Sequence, residues 1–150
     1  MHTADDEKRR DNSFPKAQKL CGDKVVGHLF DAGASFSKYP FRIVYLASET
    51  KSPGEEAVRM LVSVGKKRFK RAVKRNRVKR LTREAWRHTK SIVEDAVAAQ
   101  AAYGSLHVAF VFCGDRLPTA EEVGKAVGKA AERLASTISG TYAPQTRRVD

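Results

Sequence analysis

The segment from Ser63 to Lys90 holds the residues of this chain that are best suited to chemistry on a phosphate backbone. Between positions 66 and 90 there are thirteen lysines and arginines and a single acid, Glu84. The remaining sixteen basic and sixteen acidic residues cancel, so the formal net charge of +12 belongs to this one segment. Its partner is therefore expected to be a polyanion, held by charge-assisted hydrogen bonds to phosphate oxygens.

The spacing of apolar residues predicts that most of this segment is an amphipathic helix, from about Ala72 to near Ala102. At about 100° per residue, the stripe predicted to face the core contains Val78, Leu81, Thr82, Ala85, Thr89, Ile92 and Ala96. The opposite side carries Asn76, Lys79, Arg80, Arg83, Arg87 and Lys90, with Arg75 and Arg77 at the boundary. Like charges one turn apart repel, so such a helix favours contact with nucleic acid. A solvated helix and a membrane-surface helix are the alternatives.

The run KRAVKRNRVKRLTREAWR at positions 70–87 resembles the bacterial ribonuclease P protein family. The Arg-Asn-Arg, Lys-Arg and third basic position of that family correspond to Arg75-Asn76-Arg77, Lys79-Arg80 and Arg83. The preceding SVGKK resembles the end of a strand in the family, with Gly65 where a serine is usual. The linker from 67 to 72 is about one residue longer than usual, and Phe14-Pro15-Lys16 resembles the start of the family's domain.

This resemblance implies two RNA-binding surfaces. The first would bind the catalytic RNA through Lys66, Lys67, Arg68, Lys70, Arg71, Lys74, Arg75, Asn76, Arg77, Lys79, Arg80, Arg83 and Arg87. The second is a cleft for the single-stranded 5′ leader of precursor tRNA, lined by Val26, Phe30, Tyr45, Ser63 and Lys66. An aromatic face there could stack on a base. The alternative for Phe30 is an ordinary place in the core, and the strand face of Tyr45 is not determined by the pattern.

No catalytic or metal-binding constellation is recognisable in the chain. The four histidines are scattered, and no HExxH or CxxC spacing occurs. Glu84 and His88 lie one helical turn apart among arginines, which favours a local charge pair. The resemblance implies that the RNA subunit carries the metal-dependent hydrolysis, with Mg²⁺ held chiefly by the RNA and the substrate. The partners would be the catalytic RNA and precursor tRNA, with no membrane and no obligate protein partner.

Two other hypotheses stay open. The chain could be a non-enzymatic RNA- or DNA-binding protein, such as a ribosomal protein, that shares only the basic helix. It could also be a nuclease that acts without RNA.

The length of 150 residues predicts one domain, from 14 to 139, with a flexible lead-in over 1–13 and a flexible tail over 140–150. The patterns indicate an α+β chain in the order α-β-β-β-α-β-α. A first helix would begin with Asp23 as N-cap and end at Gly33. Strands are predicted at Phe36, 41–48, 58–65 and 106–113, with a turn at Tyr39-Pro40.

Thr119 and Glu122 form a capping box for a last helix, whose apolar stripe is Val123, Val127, Leu134 and Ile138. The resemblance implies a single-domain αβ sandwich, in which a mixed sheet of about four strands packs against helices. It also implies a left-handed βαβ crossover, a topology shared with a domain of a small-subunit ribosomal protein.

The chain shows no apolar run of about 18 residues and no apolar signal-peptide core, which predicts a cytoplasmic protein. Cys21 and Cys113 are isolated in the sequence and are predicted to be reduced, buried thiols.

Overall fold

The protein is represented by a computed structural model that describes residues 18–49, 56–100 and 103–140. The elements are α1 (Asp23–Ala32), β1 (Ala34–Lys38), β2 (Phe41–Ser48), β3 (Val58–Ser63), α2 (Ala72–Ala99), β4 (Ser105–Phe112) and α3 (Ala120–Ser139). This confirms the predicted α+β class and the order α-β-β-β-α-β-α. None of the helices in the described ranges is both long enough and apolar enough to cross a membrane.

The four strands form one mixed sheet in the order β1-β2-β4-β3. β1 with β2 and β2 with β4 are antiparallel, whereas β3 and β4 are parallel and are joined through α2. β4 therefore has a strand on each side and is covered on both faces, which explains its nearly continuous apolar sequence. The hand of the β3–α2–β4 crossover stays a prediction.

The two faces of the sheet have separate cores. On one face, α2 and α3 pack on a large cluster that includes Phe41, Ile43, Met60 and Phe110. The alternation along β3 places Val58, Met60 and Val62 on this face and leaves Arg59, Leu61 and Ser63 half-buried on the other. On that second face, α1 contributes to a smaller cluster of Leu20, Leu29, Val44 and Ala109.

Local sequence signals place the ends of two helices. In α3, Thr119 Oγ1 accepts a hydrogen bond from the Glu122 amide at 3.1 Å, and the Glu122 carboxylate accepts from the Thr119 amide at 2.9 Å. This confirms the capping box, and the four predicted stripe residues of α3 are all buried. Gly33 follows α1, and a Cβ there would lie 2.5 Å from the Leu29 carbonyl oxygen. The chain can therefore turn from α1 into β1 only with glycine at this position.

The buried stripe of α2 is rotated about the helix axis by about 60° from the predicted stripe, taking 3.6 residues per turn. It consists of Val78, Thr82, Trp86, Lys90, Val93, Ala96 and Val97. Trp86 makes an edge contact with Phe110 at 5.6 Å between ring centroids, and its burial rotates the helix about its axis. As a result Ile92, predicted to be core, is 44% exposed.

Lys90 was predicted on the cationic face, and this is wrong, because Lys90 is 1% exposed. Its ammonium donates to Gln18 Oε1 at 2.5 Å and lies 4.0 Å from the Glu94 carboxylate. These partners compensate for the cost of removing a charge from water. Lys90 therefore belongs to the structural core and not to a surface that binds a partner.

Several smaller expectations need correction or lie outside the described residues. Asp23 is the first residue of α1 and not its cap, since the N-cap is Gly22 with a φ of 105°. α2 ends at Ala99, and Cys21 is exposed and not buried. The predicted lead-in over 1–13, the tail after 140 and the Phe14-Pro15-Lys16 motif lie outside the described residues.

Candidate RNA interface

The segment 64–71, which we call the basic loop, joins β3 to α2 and has an apolar anchor. Phe69 is buried against Phe112 at the end of β4, with ring centroids 5.7 Å apart and an interplanar angle of 28°. The Arg68 amide donates to the Gly65 carbonyl at 3.0 Å. The basic side chains of the loop are all exposed, namely those of Lys66, Lys67, Arg68, Lys70 and Arg71.

Arg75 holds this loop from the first turns of α2. Its Nη1 donates to the carbonyl oxygens of Phe69 at 2.8 Å and of Lys70 at 2.7 Å. The side chain is half-buried, whereas Asn76 and Arg77, the other two members of the Arg-Asn-Arg motif, are exposed. The motif therefore has two roles, because Arg75 shapes the backbone that presents the lysines and its two neighbours face solvent.

The cationic surface continues along α2 beyond the motif. Lys74 and Arg80 are exposed, and Lys79, Arg83 and Arg87 are half-buried. Each of the thirteen residues predicted to bind RNA thus has a side chain that is at least partly accessible. A row of arginine and lysine heads on one helix flank is suited to phosphates along a nucleic-acid strand.

Glu84 neutralises part of this surface. Its carboxylate accepts a hydrogen bond from the Arg87 guanidinium and lies 3.2 Å from His88 Nε2. The hydrogen bond from Arg87, helped by His88, lowers the pKa of Glu84 below its ordinary value and keeps the carboxylate ionised. Glu84 therefore forms a local charge pair with Arg87, and His88 lies within hydrogen-bond distance of the same carboxylate. Among the described residues, no three His, Cys, Asp or Glu side chains are grouped so that they could hold a metal ion.

A groove of about 440 Å³ connects the cationic flank of α2 with the second face of the sheet. Arg83 forms one wall, residues 60–62 of β3 form the floor, and the segment 19–21 forms the other wall. This segment is held to β3 by the Leu20 amide, which donates to the Met60 carbonyl at 2.8 Å, and by Arg59, which donates to the Lys19 carbonyl at 3.0 Å. The wall formed by residues 19–21 is therefore fixed to β3, and the groove carries a cation on each side, Lys19 and Arg83, with the apolar residues Leu20 and Leu61 between them.

On the second face, α1 presents the apolar residues that were assigned to the leader cleft. Val26 is half-buried and packs with Leu61 on the smaller core cluster, so α1 and the groove share a boundary. Phe30 lies one turn further along α1 and is 36% exposed, outside both clusters. Ser63 lies on the same face of β3 as Leu61, and the exposed Lys66 follows in the basic loop. Phe30, Leu61 and Ser63 thus lie on the α1 face of the sheet, and Lys66 follows shortly after the end of β3.

Tyr45 does not belong to this surface. It is 7% exposed and lies in the main core under α2 and α3, where its ring is 5.9 Å from that of Phe36. The assignment to the leader cleft is corrected because Tyr45 and Val44 point to opposite faces of β2, and Val44 is the one that packs under α1.

The sequence reasoning missed Lys19 and Leu61 as parts of the groove. Lys19 is an isolated lysine outside the basic segment, so neither charge clustering nor periodicity marks it. The mixed polar and apolar face of β3 was the available signal for Leu61, since a strand face that is neither fully apolar nor fully polar is typical of a ligand surface.

Comparison with known proteins identifies the family. The family model for Ribonuclease P matches residues 14–106. The chain is 40% identical to the ribonuclease P protein component of Porphyromonas gingivalis over 124 residues, which cover 82% of this chain and 87% of the relative. It is 35% identical to the corresponding protein of Chlorobaculum tepidum, over 95% of this chain and 93% of the relative.

The fold is similar to that of a solved ribonuclease P protein from Staphylococcus aureus, with a TM-score of 0.61. That comparison covers 82% of this chain and 99% of the other at 18% identity, and it supports the assignment of the fold. The solved protein from Thermotoga maritima gives a TM-score of 0.50 over 81% of this chain and 96% of the other, at 19% identity. On the strength of the matched residues and the long alignments, this chain belongs to the ribonuclease P protein family.

Proposed function

We propose that this chain is the protein subunit of a ribonuclease P ribonucleoprotein and assists the endonucleolytic maturation of tRNA 5′ ends. The observation that carries the proposal is the continuity of the cationic surface. The exposed basic loop leads into the flank of α2, where Arg83 borders the groove beside β3, and Phe30 is exposed on α1, which packs on the second face of the sheet. The family membership supports the same assignment.

In this proposal the protein works by binding and positioning. The basic loop and the flank of α2 neutralise phosphates of the catalytic RNA, since each cation that replaces a condensed counterion favours association. Arg75 keeps the loop in shape through the Phe69 and Lys70 carbonyls. Asn76 adds an amide that can reach a base edge or a 2′-hydroxyl, which distinguishes RNA from DNA.

The substrate would lie on the other side of the sheet. The 5′ leader is single-stranded, so its bases are free to stack on an aromatic ring such as Phe30. Ser63 and Lys66 at the end of β3 would hold its backbone. Mg²⁺ enters as an ion bound by the RNA and the substrate, and the location of the complex in the cytoplasm is part of the proposal.

A cleavage assay tests the proposal directly. Precursor tRNA and Mg²⁺ are incubated at low salt with the protein alone, with the ribonuclease P RNA of the same organism alone, and with both. The proposal requires that the combination cleaves at the 5′ end of the mature tRNA faster than the RNA alone does. Cleavage by the protein alone would indicate a nuclease that acts without RNA. Equal rates with and without protein would leave a nucleic-acid-binding protein of another kind.

A further inference from the structure

A second basic cavity lies at the same end of the sheet, beyond the residues that the family motif marks. Its volume is about 270 Å³, just below the usual range for ligand pockets, which suits a group no larger than a nucleotide. It opens between the β1–β2 turn, the loop after β4 and the first turns of α3. The side chains that matter are those of Lys38, Tyr39, Arg116, Glu122, Lys125 and Lys129.

The charges of this cavity do not cancel internally. Arg116 pairs with Glu122 through two hydrogen bonds of 2.7 and 3.2 Å, and Glu122 also caps α3. This pair fixes one wall of the cavity, and Glu122 is the single acidic residue in the lining. Lys38, Lys125 and Lys129 have no carboxylate partner within the part of the chain that the structure describes. Three lysines that converge on a cavity without a counter-charge favour an anionic ligand.

Tyr39 adds an aromatic surface to the same cavity. It is 70% exposed, and no other aromatic side chain in the described ranges is as exposed. Its neighbour Pro40 is buried, and the Cys113 amide donates to the Pro40 carbonyl at 2.7 Å, so the turn that carries Tyr39 is fixed to the loop after β4. An exposed ring on a fixed turn, beside cations, is the arrangement that stacks on an unpaired base.

The cavity and the basic loop lie at the same end of the sheet. Phe41 pairs with Phe112 and Ser63 pairs with Val111, so the turn at Tyr39 and the basic loop lie at the same end. Phe112 contacts Phe69 of the basic loop, and a Cβ on Gly114 would lie 3.2 Å from Pro40 Cβ. β1 and β3 are separated by three strand spacings, or roughly 14 Å, which a few nucleotides span.

The side of the sheet indicates which RNA would reach the cavity. Lys125 and Lys129 belong to α3, which packs on the face opposite to α1. The surface proposed for the leader is on the α1 face, so the two sites are separated by the sheet. Lys66 borders both surfaces, but the cavity lies with α3 on the face away from α1, so we assign the strand that reaches Tyr39 to the catalytic RNA and not to the leader.

We propose that the cavity at Tyr39 is a second contact for the catalytic RNA, where Lys38, Lys125 and Lys129 neutralise phosphates and Tyr39 stacks on an unpaired base. The proposal rests on the function proposed above and extends it from the basic loop to α3. Lys125 and Lys129 are one helical turn apart, so their ammonium groups lie on one side of the helix.

The test measures binding of the protein to the ribonuclease P RNA of the same organism, transcribed in vitro, at several salt concentrations. The double variant Lys125→Gln/Lys129→Gln is expected to bind on the order of tenfold more weakly. Its slope of log affinity against log salt should be smaller by about 1.5, because each lost phosphate contact removes about 0.7–0.9. Tyr39→Ala is expected to lower the RNA affinity on the order of tenfold. Tyr39→Phe keeps the aromatic face and is expected to bind like the parent.

Lys24→Gln is the matched control, since Lys24 is an exposed lysine of α1 on the other face of the sheet. Circular dichroism confirms that each variant is folded. The inference is overturned if the double variant retains the parent affinity and slope, as Lys24→Gln should. It is also overturned if the variants bind the ribonuclease P RNA like the parent but the assembled enzyme binds precursor tRNA more weakly. The occupant of the cavity would then be the substrate. If Arg77→Lys does not weaken binding of this RNA either, the proposed function itself fails.

Discussion

The ring of Phe69 stacks on the ring of Phe112, with centroids 5.7 Å apart and planes inclined by 28°. Phe69 is the single apolar residue within the sequence Lys66–Arg71, and Phe112 is the last residue of β4. A loop that carries five like charges repels itself and gains little from burial. This one aromatic contact therefore attaches the basic loop to the central strand of the sheet.

The substitution Phe69→Ala should loosen the basic loop. Loss of the buried ring is expected to lower the free energy of unfolding by about 3 kcal/mol, in the usual range for removal of a buried phenylalanine. Urea denaturation measures this change. RNA affinity should fall as well, under conditions in which the variant is folded, because its lysines and arginines lose their fixed positions. Phe69→Leu keeps much of the apolar volume and should retain most of the affinity. Unchanged RNA affinity in folded Phe69→Ala would show that order in the loop is unimportant for binding.

Arg75→Lys and Arg77→Lys should separate shaping of the loop from contact with RNA. Lysine at 75 cannot reproduce the guanidinium geometry toward two carbonyls, so the free energy of unfolding should fall by about 1 kcal/mol. Arg77 is exposed, and its replacement should leave thermal stability unchanged but weaken RNA binding several-fold through loss of the planar fork. Calorimetry and RNA titration of the two variants provide the comparison. Equal stability and equal affinity in both variants would contradict this division of roles.

RNA binding should depend strongly on salt. If six or more phosphates are neutralised, affinity should drop on the order of a thousandfold between about 50 and 200 mM salt. Filter binding or fluorescence anisotropy at several salt concentrations gives the slope. A flat profile would exclude the basic loop and the flank of α2 as the main contact surface.

Phe30→Ala should weaken precursor tRNA binding to the assembled enzyme by the amount of one stacked base, about 1–3 kcal/mol, with little effect on mature tRNA. Phe30 is 36% exposed and outside both core clusters, so stability should change little. Ile92→Ala is a matched control, because Ile92 is a similarly exposed apolar residue on α2 at 44% exposure. An equal loss for precursor and mature tRNA, or unfolding of Phe30→Ala, would place Phe30 in the core.

The Glu122–Arg116 pair predicts a stability difference that depends on pH. The hydrogen bonds from Arg116 and from the Thr119 amide lower the pKa of Glu122 to about 2. Because the pKa in the folded state is below that of the unfolded chain, ionised Glu122 stabilises the fold above about pH 4.5, and this contribution is lost as the pH falls toward 2. Its size is small because the pair is exposed to solvent.

Thermal melting of the parent and of Glu122→Gln measures this contribution. The parent should melt at a higher temperature at pH 7, and the difference should shrink between about pH 4.5 and 2. Glu121→Gln changes the neighbouring carboxylate of the same helical turn and serves as control. A difference that does not change down to pH 2 would contradict the role of the charge.

The features that could be predicted from sequence alone are those that depend on neighbours along the chain. The capping box of Thr119 and Glu122 involves residues three apart, and the alternation of β3 follows from the two faces of any strand. The position of α2 and its cationic character were also predictable, because a helical repeat and a charge count need no tertiary information. The Arg-Asn-Arg motif indicated the family because it consists of adjacent residues and can be recognised without the fold.

The tertiary structure decided which side of each element meets which partner. Trp86 fills the space above Phe110, and that packing rotates α2 so that Lys90 is buried beside Gln18, a residue 72 positions away. Tyr45 and Phe30 are both aromatic, yet Tyr45 is buried because α2 and α3 cover its face of β2, whereas Phe30 on α1 is left exposed on the other face. Periodicity assigns residues to faces of an element, but the choice of the buried face depends on volumes and charges contributed from distant parts of the chain. The cavity at Tyr39 shows the same limit, since its lysines come from β1 and α3 and meet only because β1 and β2 pack beneath that helix.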